Sequence, residues 1–191
     1  VNKLLIIYFI NISGIIFNLG YAVLAMLSKN YTLAWFLLIT TLVLISLALF
    51  LYYSRRQQIV KILITLVSVV VVFYLLYSGG TSGSGHMWLL IMPVFIIPLY
   101  GLSRGNIISF SVFVLAILYF LLQKNLNAHH NYTLEVVIRL MGAYTLIHLL
   151  VYLNEFLKFH NFTVMERTII EAKNETRQKD DFLSKLSHQI R

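Results

Sequence analysis

The chain contains no cysteine, so disulfides, thiol nucleophiles and cysteine-bound metals are excluded at the outset. Charge is nearly as scarce: 12% of the 191 residues are ionised at neutral pH, about half the share a soluble domain carries. Up to Leu153 the single acid Glu135 faces Lys3, Lys29, Arg55, Arg56, Lys61, Arg104, Lys124 and Arg139. A transporter or channel usually lines its path with intramembrane charges and repeats its fold in inverted halves. Neither feature is found in this sequence. Proline occurs only at Pro93 and Pro98, and beyond Leu153 there is neither proline nor glycine to break a helix.

What is plentiful is apolar surface. Hydrophobic residues make up 59% of the chain and the mean hydropathy is +0.81, which excludes a soluble globular domain and makes the lipid bilayer its principal partner. The net charge of +8 does not point to nucleic acid, because the cations sit mainly at helix ends and turns and form no groove. From residue 154 onward seven cations face six acids, the balance of a solvated helix pair.

Apolar runs separated by short polar breaks predict six membrane crossings, at residues 4–27, 33–53, 59–77, 87–100, 107–122 and 136–153. The fourth is short: about fourteen residues of α-helix rise roughly 21 Å against a hydrocarbon core of about 30 Å. The expected fold is an all-α membrane bundle of six helices continuing into a cytoplasmic, dimeric coiled-coil helix. Its parts are a sensor domain at 1–153, a signalling helix at 154–179 and the start of a further domain at 180–191. Arg55, Arg56, Lys61 and Arg104 fall on one side of the membrane in this scheme, which by the positive-inside rule is the cytoplasm. Both termini then lie inside, and the first apolar stretch, lacking a small-residue cleavage site, reads as a retained anchor.

Beyond the last crossing, Met165, Ile169, Ala172, Thr176, Lys179, Leu183, Leu186 and Ile190 recur at alternating three- and four-residue steps, a heptad seam. Thr176 and Lys179 are polar members of it, either an imperfection or a switch point. His188 falls on the outer face, where a partner has access to the imidazole; a solvated histidine on a coiled-coil surface is the plainer reading. The segment 180–191, D-D-F-L-S-K-L-S-H-Q-I-R, resembles the phospho-acceptor box of bacterial two-component sensor histidine kinases, matching at Phe182, Leu183, Ser187, His188, Ile190 and Arg191. The resemblance implies that His188 takes the γ-phosphoryl group of ATP and passes it to an aspartate of a response regulator. It further implies a homodimer in the bacterial cytoplasmic membrane. No cofactor is expected in this chain, with ATP and Mg2+ bound by a catalytic domain of a longer protein. One position departs from the pattern: Gln189 stands where the family usually has a carboxylate thought to draw a proton from the ring, and an amide accepts a hydrogen bond but no proton near neutral pH.

A small-molecule or membrane-derived stimulus is expected to act at Ser78 to Trp88, S-G-G-T-S-G-S-G-H-M-W. The candidate residues are Gly79, Gly80, Gly83, Gly85, His86 and Trp88, with Pro93 and Pro98 in the helix after them, and the pattern of Gly-Gly, a spaced Gly, a Trp and then a Pro resembles a six-helix sensor found before bacterial histidine kinases and cyclases. A cyclase making a cyclic dinucleotide is therefore an alternative output. Glycine permits left-handed turns and close backbone approach, which leaves amides for a polar or anionic ligand. The alternative is a simple turn in which Gly79 caps the third helix. Three smaller readings remain. Glu135 and Arg139 stand four apart and should pair. His148 is either functional or a neutral imidazole bonded to a neighbouring helix. His86, His129 and His130 are a candidate imidazole metal site, and no metal is assigned.

Overall fold

The computed structural model describes residues 3–54, 56–123 and 130–190, with the side chains of Lys3 and of residues 181–190 outside what it describes. Six α-helices follow in order: α1 (Lys3–Leu27), α2 (Tyr31–Ser54), α3 (Gln57–Ser78), α4 (Met92–Tyr100), α5 (Leu102–Leu122) and α6 (Leu134–Ile190). A 3-10 helix, Ser84–Ile91, runs directly into α4. No strand occurs among the described residues. Helices dominate because hydrocarbon offers no partner to a backbone amide or carbonyl, and a helix satisfies both within its own segment. Among the described residues five helices are long and apolar enough to cross a membrane: Leu4–Leu27, Tyr31–Ser54, Gln57–Ser78, Leu102–Leu122 and Leu134–Asp180.

The breaks have local causes. After α1 the chain turns through Lys29 at φ 59°, and Asn30 caps α2 by accepting the Leu33 amide at 3.2 Å on its Oδ1. Gly79 ends α3 in the left-handed conformation, φ 76°, the role its place after an apolar run suggests. Gly101, at φ 83°, alone separates α4 from α5. Gly105 lies so close to Ile97 across that corner that a Cβ there would come within 2.7 Å of its Cα.

The fourth apolar segment is longer than the short helix expected over 87–100. It begins earlier, at Ser84, and its first eight residues wind as 3-10 helix. Pro93 therefore sits in the first turn of α4, where a missing amide hydrogen leaves no helical bond unmade. The Leu89 carbonyl, which a proline at this place would orphan in an α-helix, accepts the Met92 amide instead. Pro98 remains inside α4.

The chain forms two compact units, 1–152 and 153–191. In the first, Ala22, Ala25 and Ala34, all at most 1% exposed, let α1 and α2 approach closely, with Leu33, Leu37, Val71 and Leu75 packed around them. A second cluster joins Ile7, Leu47, Leu51, Val60 and Ile64. The third joins α3, the 3-10 segment, α4, α5 and the start of α6 through Leu76, Leu89, Met92, Val112 and Tyr144. Large apolar side chains such as Leu5, Phe9, Trp35, Leu42 and Leu121 point outward, the surface that lipid rather than water would cover. The second unit is the continuation of α6, whose described side chains are mostly exposed.

Candidate functional site

The glycine stretch folds around a tyrosine that the sequence did not single out. Tyr21 of α1 accepts the Thr81 amide at 3.2 Å and the Thr81 hydroxyl at 2.9 Å. Its oxygen lies 2.8 Å from Ser84 Oγ. Ser84 spends its own hydrogen on the Thr81 carbonyl at 2.7 Å, so Tyr21 must be the donor to Ser84. One phenol thus holds both ends of the turn. The amides of Gly80, Ser84 and Gly85 are also engaged, with Ser78 Oγ, the Thr81 carbonyl and the Gly79 carbonyl respectively.

The need for glycine differs along the stretch. Gly80 and Gly83 have φ 63° and 78°, a region that costs an L side chain about 1 kcal/mol or more. At Gly85 the constraint is space: a Cβ would overlap the carbonyl oxygen of Leu75. His130 lies over the turn, its ring 3.3 Å from where a Cβ on Gly83 would stand and its Cβ 2.7 Å from one on Gly79. His86 donates from Nδ1 to the Gly83 carbonyl at 3.0 Å. Both imidazoles pack edge-on against Tyr132, at 5.1 and 4.7 Å between ring centres. Burial pushes the Tyr132 hydroxyl well above its usual range. Gln123 fixes this corner by pairing its side-chain amide with both backbone groups of Tyr132, each at 3.0 Å. His129 lies outside the described residues, and among those described no group of three acids or histidines is arranged to hold a metal.

Trp88 closes the turn from below. Its ring meets Tyr21 at 4.9 Å and Phe17 at 5.9 Å, both edge to face. Beneath it is a cavity of about 50 Å3 between α1, α2, α3 and the 3-10/α4 segment, lined chiefly by apolar side chains together with Asn18 and Ser68. The cavity borders Trp88 and none of Gly79, Gly80, Gly83 and Gly85. Pro93 and Pro98 are not part of its wall, whereas their neighbours Met92 and Phe95 are.

His148 is bonded to a neighbouring helix, as the structural reading of it expects. Nε2 is 2.7 Å from Asn106 Oδ1 and Nδ1 is 3.0 Å from Ser109 Oγ. Tyr144 donates to the Ser109 carbonyl at 2.9 Å and lies 3.0 Å from Ser109 Oγ. With Asn106 Oδ1 accepting, Nε2 carries the proton and Nδ1 receives the serine hydrogen, so α6 is tied to α5 through every polar atom of the ring. Glu135 and Arg139 form the expected ion pair, exposed on both sides.

In the tail, Met165 and Ile169 are 56% and 58% exposed in the single chain, and Ala172 and Lys179 are exposed too. Thr176 turns its hydroxyl back to the Ala172 carbonyl at 3.0 Å. Leu183, Leu186, His188, Gln189 and Ile190 lie on α6 by backbone, and their side chains are outside those described. No protein-family model matches the chain, and neither a curated protein nor a solved structure does.

Proposed function

We propose that this chain is the membrane sensor and phospho-acceptor helix of a bacterial histidine kinase, crossing the cytoplasmic membrane six times with both termini inside. The observation that carries the proposal is the run Phe182 to Arg191 around His188, of which residues 182–190 lie on α6, the helix that begins at Leu134. In this reading His188 attacks the γ-phosphorus of ATP through a ring nitrogen, the bond to the bridging oxygen breaks, ADP leaves, and a response-regulator aspartate later takes the phosphoryl group. In this reading ATP and Mg2+ would be held by a separate catalytic domain.

Two further observations support parts of the proposal. Eight residues of 3-10 helix rise about 16 Å and nine of α-helix about 13 Å, so Ser84–Tyr100 end to end has the length of the hydrocarbon core and suits a sixth crossing. The exposed Met165 and Ile169 are the apolar residues a second copy would cover in a parallel dimer.

Membranes containing the full-length protein, incubated with ATP labelled on the γ-phosphate, should acquire an acid-labile label. His188→Gln should abolish it, and Gln189→Glu should label faster because a carboxylate can take the ring proton. Label that persists in His188→Gln would sink the assignment.

A further inference from the structure

The cavity below Trp88 is used by neither the glycine turn nor the tail. Gly14 and Ser68, which face it from α1 and α3, stand near the middles of their helices, which places the cavity near the middle of the membrane. Part of the space exists because Gly14 has no side chain: a Cβ there would touch only Leu44 Cδ1, at 3.3 Å. Each water centre occupies about 10–15 Å3, so about 50 Å3 accommodates a few waters or the head of a small organic molecule.

Its wall offers more hydrogen bonding than the protein uses. Asn18 donates from Nδ2 to Thr40 Oγ1 at 3.2 Å, and Thr40 gives its own hydrogen to the Leu37 carbonyl at 2.9 Å. The amide orientation is therefore fixed, and Oδ1 is the acceptor Asn18 has left. Ser68 contributes a hydroxyl. Two turns along the same face of α1, though not in the cavity wall, Asn11 is fully buried and neither amide atom has a partner among the described residues. Polar groups in hydrocarbon are costly when unmatched, so an occupant with a polar head is favoured over bare hydrocarbon. A phospholipid supplies only its acyl chains at this depth, since its head group stays about 15 Å away at the interface. An ion finds no counter-charge here, because no lining residue is charged.

We propose that this cavity binds a small membrane-soluble alcohol. Its hydroxyl donates to Asn18 Oδ1 and accepts from Ser68 Oγ. Its apolar body lies against Phe17, Trp88 and Phe95 and reaches the bilayer past Phe17, which is half exposed. Because Trp88 also bears on Tyr21, and Tyr21 holds Thr81 and Ser84, an occupant that displaces the indole acts directly on the turn. The binding site stands independently of the kinase reading.

A diazirine-bearing octanol is a suitable probe. It should be photolysed with the full chain in membranes and the labelled residues mapped by mass spectrometry. Label is expected on Phe17, Met92 and Phe95, displaced by octanol but not by octane. Asn18→Ala should weaken octanol competition about tenfold, the effect of one good hydrogen bond, and Ser68→Leu, which fills the space, should remove the cavity label. Thermal melting identifies any variant that fails to fold, in which case Asn18→Ala and Ser68→Ala decide. Equal displacement by octane would assign the cavity to acyl chains and overturn the proposal. So would label confined to outward residues such as Phe9, or unchanged competition in both alanine variants.

Discussion

Gly85 has an ordinary backbone conformation and is nonetheless hard to replace. Its amide donates to the Gly79 carbonyl at 3.0 Å, and the space a side chain would need is filled by backbone of Leu75 and Gly79. Backbone cannot swing aside as a side chain can, so Gly85→Ala should cost about 3 kcal/mol, the upper part of the range for overpacking. Pro93→Ala, in the same segment, should change stability by less than about 1 kcal/mol, since the first turn of α4 asks nothing of that amide. Denaturation in detergent compares the two, and similar losses would contradict the close approach at Gly85. Ser109→Ala removes the donor to His148 Nδ1 and should cost about 1–3 kcal/mol by leaving that nitrogen unmatched. Legibility at this scale depended on distance along the chain. Gly79 as a helix cap could be read from its neighbours, whereas Gly85 is constrained by a carbonyl ten residues back and Tyr21 acts on a turn sixty residues on. His148 drew notice because it is ionisable within an apolar run, but Asn106 and Ser109 have no such mark until α5 and α6 are packed together.

Among the described residues, hydropathy located four of the long helices and the apolar start of α6, and for a physical reason: a spanning segment is recognisable from length and apolarity without knowing its partners. Hydropathy does not distinguish how tightly a segment is wound. The 3-10 start of the fourth segment follows from Gly83 in the left-handed region, φ 78°, and Pro93 eight residues after Gly85, and it changes the rise per residue rather than the composition. The second unit of α6 shows the opposite case. The heptad spacing of Met165, Ile169, Ala172 and Thr176 was plain in the sequence, yet a heptad has meaning only with another helix against it. Single cysteines at Met165 and Ile169 should therefore cross-link between copies much faster than one at Asn174, which lies on the outer face of the same register. The chain's lack of native cysteine makes each such variant singly reactive. Cross-linking at equal rates would exclude the register, and none at all would exclude the dimer.

At the scale of the whole molecule the side on which the tail lies depends on one segment. Five crossings would put the two termini on opposite faces, and six put them on the same face. The short Ser84–Tyr100 is the segment that decides. If it turns back without crossing, Ser82 and Ser103 share a face; if it crosses, they do not. Three features of the segment favour crossing. Its 3-10 winding lengthens it to about 29 Å. Its far end leads directly to Arg104 and, across a shared pocket wall, to Lys61, cations that the positive-inside rule gathers in the cytoplasm. The opposite end is a turn whose Thr81 amide and Thr81 and Ser84 hydroxyls are matched to Tyr21 of α1. Ser82 and Ser103 are both exposed, so cysteine at either position is reachable without displacing a neighbour. With a membrane-impermeant thiol reagent on intact cells, Ser82→Cys should label at once and Ser103→Cys only after the membrane is permeabilised. Prompt labelling of both would make the segment re-entrant, carry His188 to the outer face, away from ATP, and remove the kinase reading along with the sixth crossing.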